Sequence, residues 1–353
     1  MFYDRFQKIF SFYPKRNLQK PNFALKQVFS LIKKGWGKDL IKKLKEKSFP
    51  LITTFYAPAF TADFFNFSKE IFCVICDTDV SRTWVSLKPK ESRIKYFTPN
   101  ERVSERLKLY GVRKENIFLT GYPLPEENIG TENLEILKND LSHRLLNLDP
   151  DERYYKEYGA LINKYLGELP KKSNHPLTIM FAVGGAGAQK KIAIHAVQSL
   201  SKEIKAGNIK LVLSAGIRNN VKKYFERNIE KLKLEKEVDI IFDEKINEYF
   251  EKFNKALRKT DVLWTKPSEL SFYVALGIPI IIAPPIGSQE DFNKEWLLRM
   301  NLGIVQKNPK HTDQWFFDYL KKGIFAKSAF HGFIEGEKMG TFNIKKIISK
   351  CSG

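Results

Sequence analysis

A chain of 353 residues has room for two domains that each bury a core. Its 43% hydrophobic and 13% aromatic content excludes a disordered polymer, and no apolar run approaches the ~18–20 residues of a membrane span. The net charge of +20 is uneven, because residues 1–48 hold thirteen Lys and Arg against Asp4, Asp39 and Glu46. Phe2, Phe6, Phe10, Phe23, Phe29, Leu31 and Trp36 interleave with those cations. Such a segment reads as a solvated lysine-rich face, a surface for anionic lipid, or a nucleic-acid contact. No RNA- or DNA-binding motif accompanies it, so nucleic acid is not an expected partner. The start MFYDRFQKIF lacks the apolar centre of a secretion signal, which implies a cytoplasmic protein.

In chain order, apolar residues recur at three- and four-residue steps over 24–47, predicting two amphipathic helices broken near Gly35-Trp36-Gly37. Residues 50–56 read as a strand, followed by a loop through Ala57-Pro58-Ala59. Residues 71–76, 94–97 and 116–120 read as three more strands, with a helix over 100–110 stopped by Gly111. Strands alternating with helices imply a parallel sheet. Cys73 and Cys76 form a CxxC inside the apolar run 71–76, where strand alternation sends the two thiols to opposite faces. With Cys351 they give no disulfide framework, so they read as buried structural thiols in a reducing compartment.

Residues 124–176 are polar and carry four prolines, and read as a helical interdomain connection. A second α/β series follows: strands over 177–183, 209–214 and 238–242, helices over 189–206, 221–232 and 246–257. It leads into residues 260–297, which read as strand, tight loop, helix, buried strand, polar loop and helix. Gly277 and Pro279 stop the middle helix, and Ile280 to Ala283 are apolar on both faces, as a central parallel strand must be. Helices are predicted over 312–323 and 341–351. The domain division is therefore 1–123, a connection 124–176, 177–325, and a helical end 326–353.

In open α/β sheets, ligands bind beyond the carboxyl ends of the strands. Gly184-Gly185-Ala186-Gly187-Ala188-Gln189-Lys190 lies at such a point, between a strand and a helix. Bare glycines let the backbone approach a ligand, and a helix start offers free N–H groups to phosphate. It is neither a P-loop nor a complete GxGxxG. Thr265, Lys266, Ser268, Glu269, Gln289 and Glu290 crowd two further strand ends. Ser268 is placed to cap the helix, and Glu269 in its first turn could accept two hydrogen bonds from a ribose. Asp77 and Asp79 follow another strand end and could serve as a base, a metal site or hydrogen-bond acceptors. His143, His175, His195, His311 and His331 show no metal-ligand spacing, so no metal and no cofactor are expected.

These residues resemble the GT-B nucleotide-sugar glycosyltransferases. The closest resemblance is to the branch of monogalactosyldiacylglycerol synthase, processive diacylglycerol glucosyltransferases and the lipid-linked peptidoglycan N-acetylglucosaminyltransferase. Asp77 through Thr83-Trp84 looks like that branch's Thr-Asp…Thr-Trp segment. Tyr96 through Asn100, Gly111-Val112 and Thr120-Gly121-Tyr122-Pro123 look like its interdomain exit. Gly184 to Gly187 look like its glycine loop. Asp261, Thr265-Lys266, Gly277-Ile278-Pro279 and Gln289-Glu290-Asp291-Phe292-Asn293 look like its donor-binding region. The resemblance covers residues 50–123 and 177–306.

The resemblance implies two Rossmann-like domains, the first shortened, since no strand with a glycine-rich loop precedes Pro50. It implies transfer of a hexose or N-acetylhexosamine from a UDP-sugar to an acceptor, perceived as a lipid at the inner membrane surface, without metal. Gly184, Gly185, Gly187 and Ser268 would lie near the phosphates, Glu269 near the ribose, and Gln289 and Glu290 near sugar hydroxyls, with Thr265 and Lys266 also in the donor-binding set. Asp77 or Asp79 would be the base. The family's Gly-Pro-Gly-Thr is replaced here by Pro267-Ser268-Glu269-Leu270. Two alternatives stay open: a UDP-sugar 2-epimerase-like enzyme, and a donor-binding subunit or fragment completed by a separate polypeptide.

Overall fold

The computed structural model describes residues 18–184, 187 and 189–352, and the chain divides into two compact units. The basic start is thus described only from Leu18 onward. One unit runs through Pro123 and also takes in Gly287–Asn293 and Glu337–Gly353. Its sheet is parallel, β1 (Leu51–Thr53), β2 (Ile71–Val74), β3 (Lys95–Thr98) and β4 (Ile117–Leu119), in that spatial order. Alternation along β2 builds two cores. Ile71, Cys73 and Ile75 enter a cluster with Leu25, Phe29 and Ile32 of the helix Phe23–Lys33, Phe60, and Val103 and Leu107 of the helix Glu101–Leu109. Phe72, Val74 and Cys76 face the other way, against Phe97 and Ile344 of the helix Gly340–Ser352. Phe72 and Phe97 stack with ring centroids 5.0 Å apart. Burying each such side chain is worth about 1.5–3 kcal/mol. The two thiols therefore lie on opposite faces, and neither is in a disulfide.

The local signals hold at several ends. Gly35 and Gly37 adopt positive φ between the helices Phe23–Lys33 and Lys38–Lys45. The Asn100 side chain accepts from Val103 N at 2.9 Å and starts the helix Glu101–Leu109. One expectation is corrected: Ala57-Pro58-Ala59 is no loop but part of the helix Tyr56–Phe64. Pro58 sits in its first turn, where a missing N–H costs no intrahelical bond.

The second unit is Leu124–Ile286 with Lys294–Gly336. Residues 124–176 hold the helices Glu126–Ile129, Glu135–Leu148 and Arg153–Leu166, which are counted within it. Its six parallel strands are β5 (Leu177–Ala182), β6 (Ile209–Gly216), β7 (Val238–Phe242), β8 (Val262–Thr265), β9 (Ile280–Ile282) and β10 (Gly303–Val305). Their order is β10-β9-β8-β5-β6-β7. The chain enters mid-sheet at β5, winds outward through β6 and β7, then returns to β8 and winds the other way. That order is the dinucleotide-fold order, and it reverses between β5 and β8. The helix expected over 189–206 is interrupted at Leu200, giving Lys190–Ser199 and Ser201–Lys205. Among the described residues no helix is long and apolar enough to cross a membrane.

Candidate functional site

The reversal point of the second unit carries the glycine turn. It leaves β5 and closes with Gly187 N donating to Gly184 O at 2.7 Å. Gly187 has φ +68, and a Cβ there would lie 2.8 Å from Val221 Cγ2 and 3.4 Å from Arg218 Cδ. A Cβ on Gly184 would overlap Lys266 Cε, so the Lys266 side chain lies directly over that glycine. Gly185 lies outside the described residues. Gln189 follows with φ 70, a left-handed conformation that costs a non-glycine residue of order 1–3 kcal/mol. Its Nε2 donates to Pro284 O, while its Oε1 is buried without a partner among the described residues. The helix Lys190–Ser199 starts immediately after it, and the Lys190 ammonium sits 4.8 Å over the Tyr224 ring. The turn is thus flanked by a helix N-terminus and by the side chains of Lys266 and Arg218. That combination attracts anions.

Thr265 ends β8 fully buried, its Oγ1 donating to Ala182 O at 3.1 Å across the two strands that flank the reversal. Ser268 N donates to Lys266 O at 2.8 Å, forming the tight loop. The segment Glu269–Leu276 is a 3-10 helix, stopped by Gly277 at φ 67. The expected cap is corrected: the Ser268 side chain makes no capping hydrogen bond to this helix. Glu269 opens the helix, and its side chain lies outside what is described. The structure therefore brings Gly184, Gly187, Thr265, Lys266 and Ser268 to one sheet edge.

Gln289 and Glu290 group with the first unit. The helix Ser288–Arg299 begins in the stretch Gly287–Asn293, which groups with the first unit. There the Gln289 amide donates to Asp79 O, and Glu290 is buried. Asn293, fully buried, accepts from Thr78 Oγ1 at 2.7 Å and Thr78 N at 3.1 Å, and donates to Asp77 Oδ1 at 3.2 Å. Asp79 is saturated. Its Oδ1 accepts from Arg106 Nε at 3.1 Å and Val80 N at 2.8 Å, and its Oδ2 from Arg102 Nε at 3.2 Å. Arg102 and Arg106 are one turn apart on the helix Glu101–Leu109, so both reach the same carboxylate. The same fixed charges keep Tyr110 beside them: burial pushes its hydroxyl up to about 12, and its OH donates to Val80 O at 3.1 Å.

Sequence reasoning named Gln189 and Asn293 only inside longer runs and did not raise Arg218. Gln189 directly follows the glycine stretch and Arg218 precedes the helix after β6, so position alone could have raised them. Asn293 stands 215 residues from Thr78, and no local pattern joins them. Among the described residues no group of His, Cys, Asp and Glu is placed to hold a metal ion.

A family model described as a domain of unknown function (DUF6938) matches residues 170–256, the β5 to β7 half of the second sheet. No curated protein matches the sequence. Among solved structures, a proposed UDP-N-acetylglucosamine 2-epimerase from Listeria monocytogenes is similar, with a TM-score of 0.51 and 13% identity over 98% of this chain and 84% of that one. MurG from Acinetobacter baumannii gives 0.49 and 14% identity over 92% and 78%. MnaA from S. aureus, solved with UDP, gives 0.46 and 12% identity over 98% and 83%. The two parallel-sheet units are those of the GT-B-type, Rossmann-like fold.

Proposed function

We propose that the chain is a nucleotide-sugar enzyme, a glycosyltransferase that moves a hexose or N-acetylhexosamine from a UDP-sugar to an acceptor hydroxyl. The observation that carries this reading is the anion cradle at the β5/β8 reversal, where the Lys266 side chain covers Gly184 and Arg218 flanks Gly187. The diphosphate would rest on the N–H groups at the start of the helix Lys190–Ser199, with Lys266 and Arg218 taking its charge. Ser268 and Glu269 would lie toward the ribose. The motif resemblance to lipid-directed transferases supports this reading, and so does the UDP-sugar named for the Listeria protein of like fold.

In an inverting transfer a base takes the proton of the acceptor hydroxyl, whose oxygen bonds to the anomeric carbon as the bond to the diphosphate breaks. Asp77 is our candidate base. Asp79 is not, because both its oxygens are held by Arg102, Arg106 and a backbone N–H. We place the acceptor at an anionic membrane surface. Phe23 and Leu31 on one lysine-rich helix, Leu40 on the next and Trp36 in the break between them stand 44–68% exposed, which suits an interfacial contact.

Calorimetry with UDP, UDP-glucose, UDP-galactose and UDP-N-acetylglucosamine tests the donor site, and absence of binding by all four sinks it. Incubation with the bound UDP-sugar and no acceptor separates transfer from the epimerase reading: isomerised donor favours the epimerase.

A further inference from the structure

The opposite edge of the first unit carries a feature that the donor chemistry does not use. An open cavity of about 640 Å³ lies at the amino ends of all four strands, since Pro50, Ile71, Lys95 and Asn116 border it just before or at the start of β1 to β4. Its wall holds four cations, Lys69, Arg93, Lys95 and Arg113, against one carboxylate, Glu70. Glu70 is paired with Lys95 at 2.9 Å. The two guanidinium groups are anchored to main chain and each also meets a carboxylate: Arg93 Nη2 donates to Phe67 O at 2.7 Å with its Nε 3.9 Å from Asp63 Oδ1, and Arg113 Nη2 donates to Ser92 O at 3.3 Å with its Nη1 3.4 Å from Glu115 Oε1. Each guanidinium has five N–H donors, and these bonds fix its plane while using few of them. Lys69 is exposed and has no hydrogen-bond or ion-pair partner among the described residues.

We propose that this cavity binds a phosphate-bearing anion, separately from the second unit's glycine turn. Fixed, half-solvated guanidinium groups recognise phosphate oxygens in pairs through the N–H donors that their carboxylate neighbours leave unused, and Lys69, without a partner among the described residues, adds a further cation. A volume of about 640 Å³ admits a phosphate ester with a substantial organic body, and Phe49, 73% exposed at the rim, offers that body an apolar contact. The phosphate could come from a soluble ester or from a lipid headgroup.

The test measures inorganic pyrophosphate by calorimetry and phosphatidic acid vesicles against phosphatidylcholine vesicles by sedimentation. Every arm uses a Lys266→Ala background, which weakens the proposed donor site. The Arg93→Gln/Arg113→Gln variant is expected to weaken binding about tenfold or more, the loss of two charge-assisted contacts. Lys69→Glu, which breaks no internal bond, should weaken it in the same direction with an unchanged melting temperature. Weakened pyrophosphate binding supports a soluble ligand, and weakening confined to phosphatidic acid vesicles supports a headgroup. Binding that is absent in all arms, or unaffected by both variants, overturns the proposal. A failure of UDP to bind the unmodified chain would leave this result intact.

Discussion

The two units present the carboxyl edges of their sheets in opposite states. In the first, the polar groups are spent on one another: Asp79 on Arg102, Arg106 and Val80 N, Thr78 on Asn293, and Gln289 on the Asp79 carbonyl. In the second, the glycine turn leaves a helix start, a strained Gln189 with an unpartnered Oε1, and cationic side chains laid over bare backbone. A closed network holds a shape, while glycines with a helix start and cations beside them suit the diphosphate proposed above.

Breaking the closed edge should have the largest effect. Asp79→Ala strands Arg106, whose side chain is 5% exposed, and is expected to cost about 3–5 kcal/mol in urea unfolding. Were Asp79 instead a base on an open edge, the variant would lose turnover with its stability unchanged. At the second edge the signature reverses. Lys266→Ala should leave the melting temperature within error and weaken UDP binding about ten- to a hundredfold, the loss of one charged contact to phosphate. Unchanged affinity would remove Lys266 from the cradle.

A pair of glycines sharpens the contrast at lower cost. At Gly332 a Cβ would overlap the Val274 carbonyl oxygen, where the helix Ile324–Glu335 packs on the 3-10 segment. Gly332→Ala should destabilise by about 1–3 kcal/mol, since backbone cannot step aside. At Gly184 the obstacle is the far end of the Lys266 side chain, which can swing away. Gly184→Ala should barely move the melting temperature yet reduce UDP binding by displacing the lysine. Equal destabilisation by the two variants would show that Gly184 is a packing residue only.

These effects also mark what could be read from the sequence. The helix breaks at Gly35 and Gly37, the stop at Gly277 and the two-faced burial along β2 are local, so periodicity and turn chemistry revealed them. The helix through Pro58 escaped because proline's veto does not apply in a first turn. Strand order escaped too: nothing in residues 177–305 says that β8 returns beside β5, yet that pairing brings Lys266 over Gly184. Arg102 and Arg106 share a helix face, which was legible, but their partner Asp79 lies 23 and 27 residues away. Asn293 was visible as the end of a Q-E-x-x-N run and was read with the second domain. Its bonds to Asp77 and Thr78 place it in the first unit.

The smallest effect concerns proton linkage in the second unit, away from both edges. Burial, reinforced by nearby His175, holds the His143 imidazole below its usual value of 6.5, and its Nδ1 is buried without a partner among the described residues. A folded state that resists protonation binds fewer protons than the unfolded chain. Its contribution is therefore complete above about pH 6.5 and is lost as pH falls through that value toward the depressed one. Burial and Lys327 depress His331 in the same direction. Between about pH 7 and about pH 5.5, the window below the ordinary histidine value, the melting temperature should decline in the parent chain and decline less in His143→Gln. Asp140 and His175, the charged groups facing His143, remain in both proteins, so the difference isolates the one ring. Parallel curves would mean that His143 titrates alike in the folded and unfolded chain, and that its buried Nδ1 finds an acceptor once protonated.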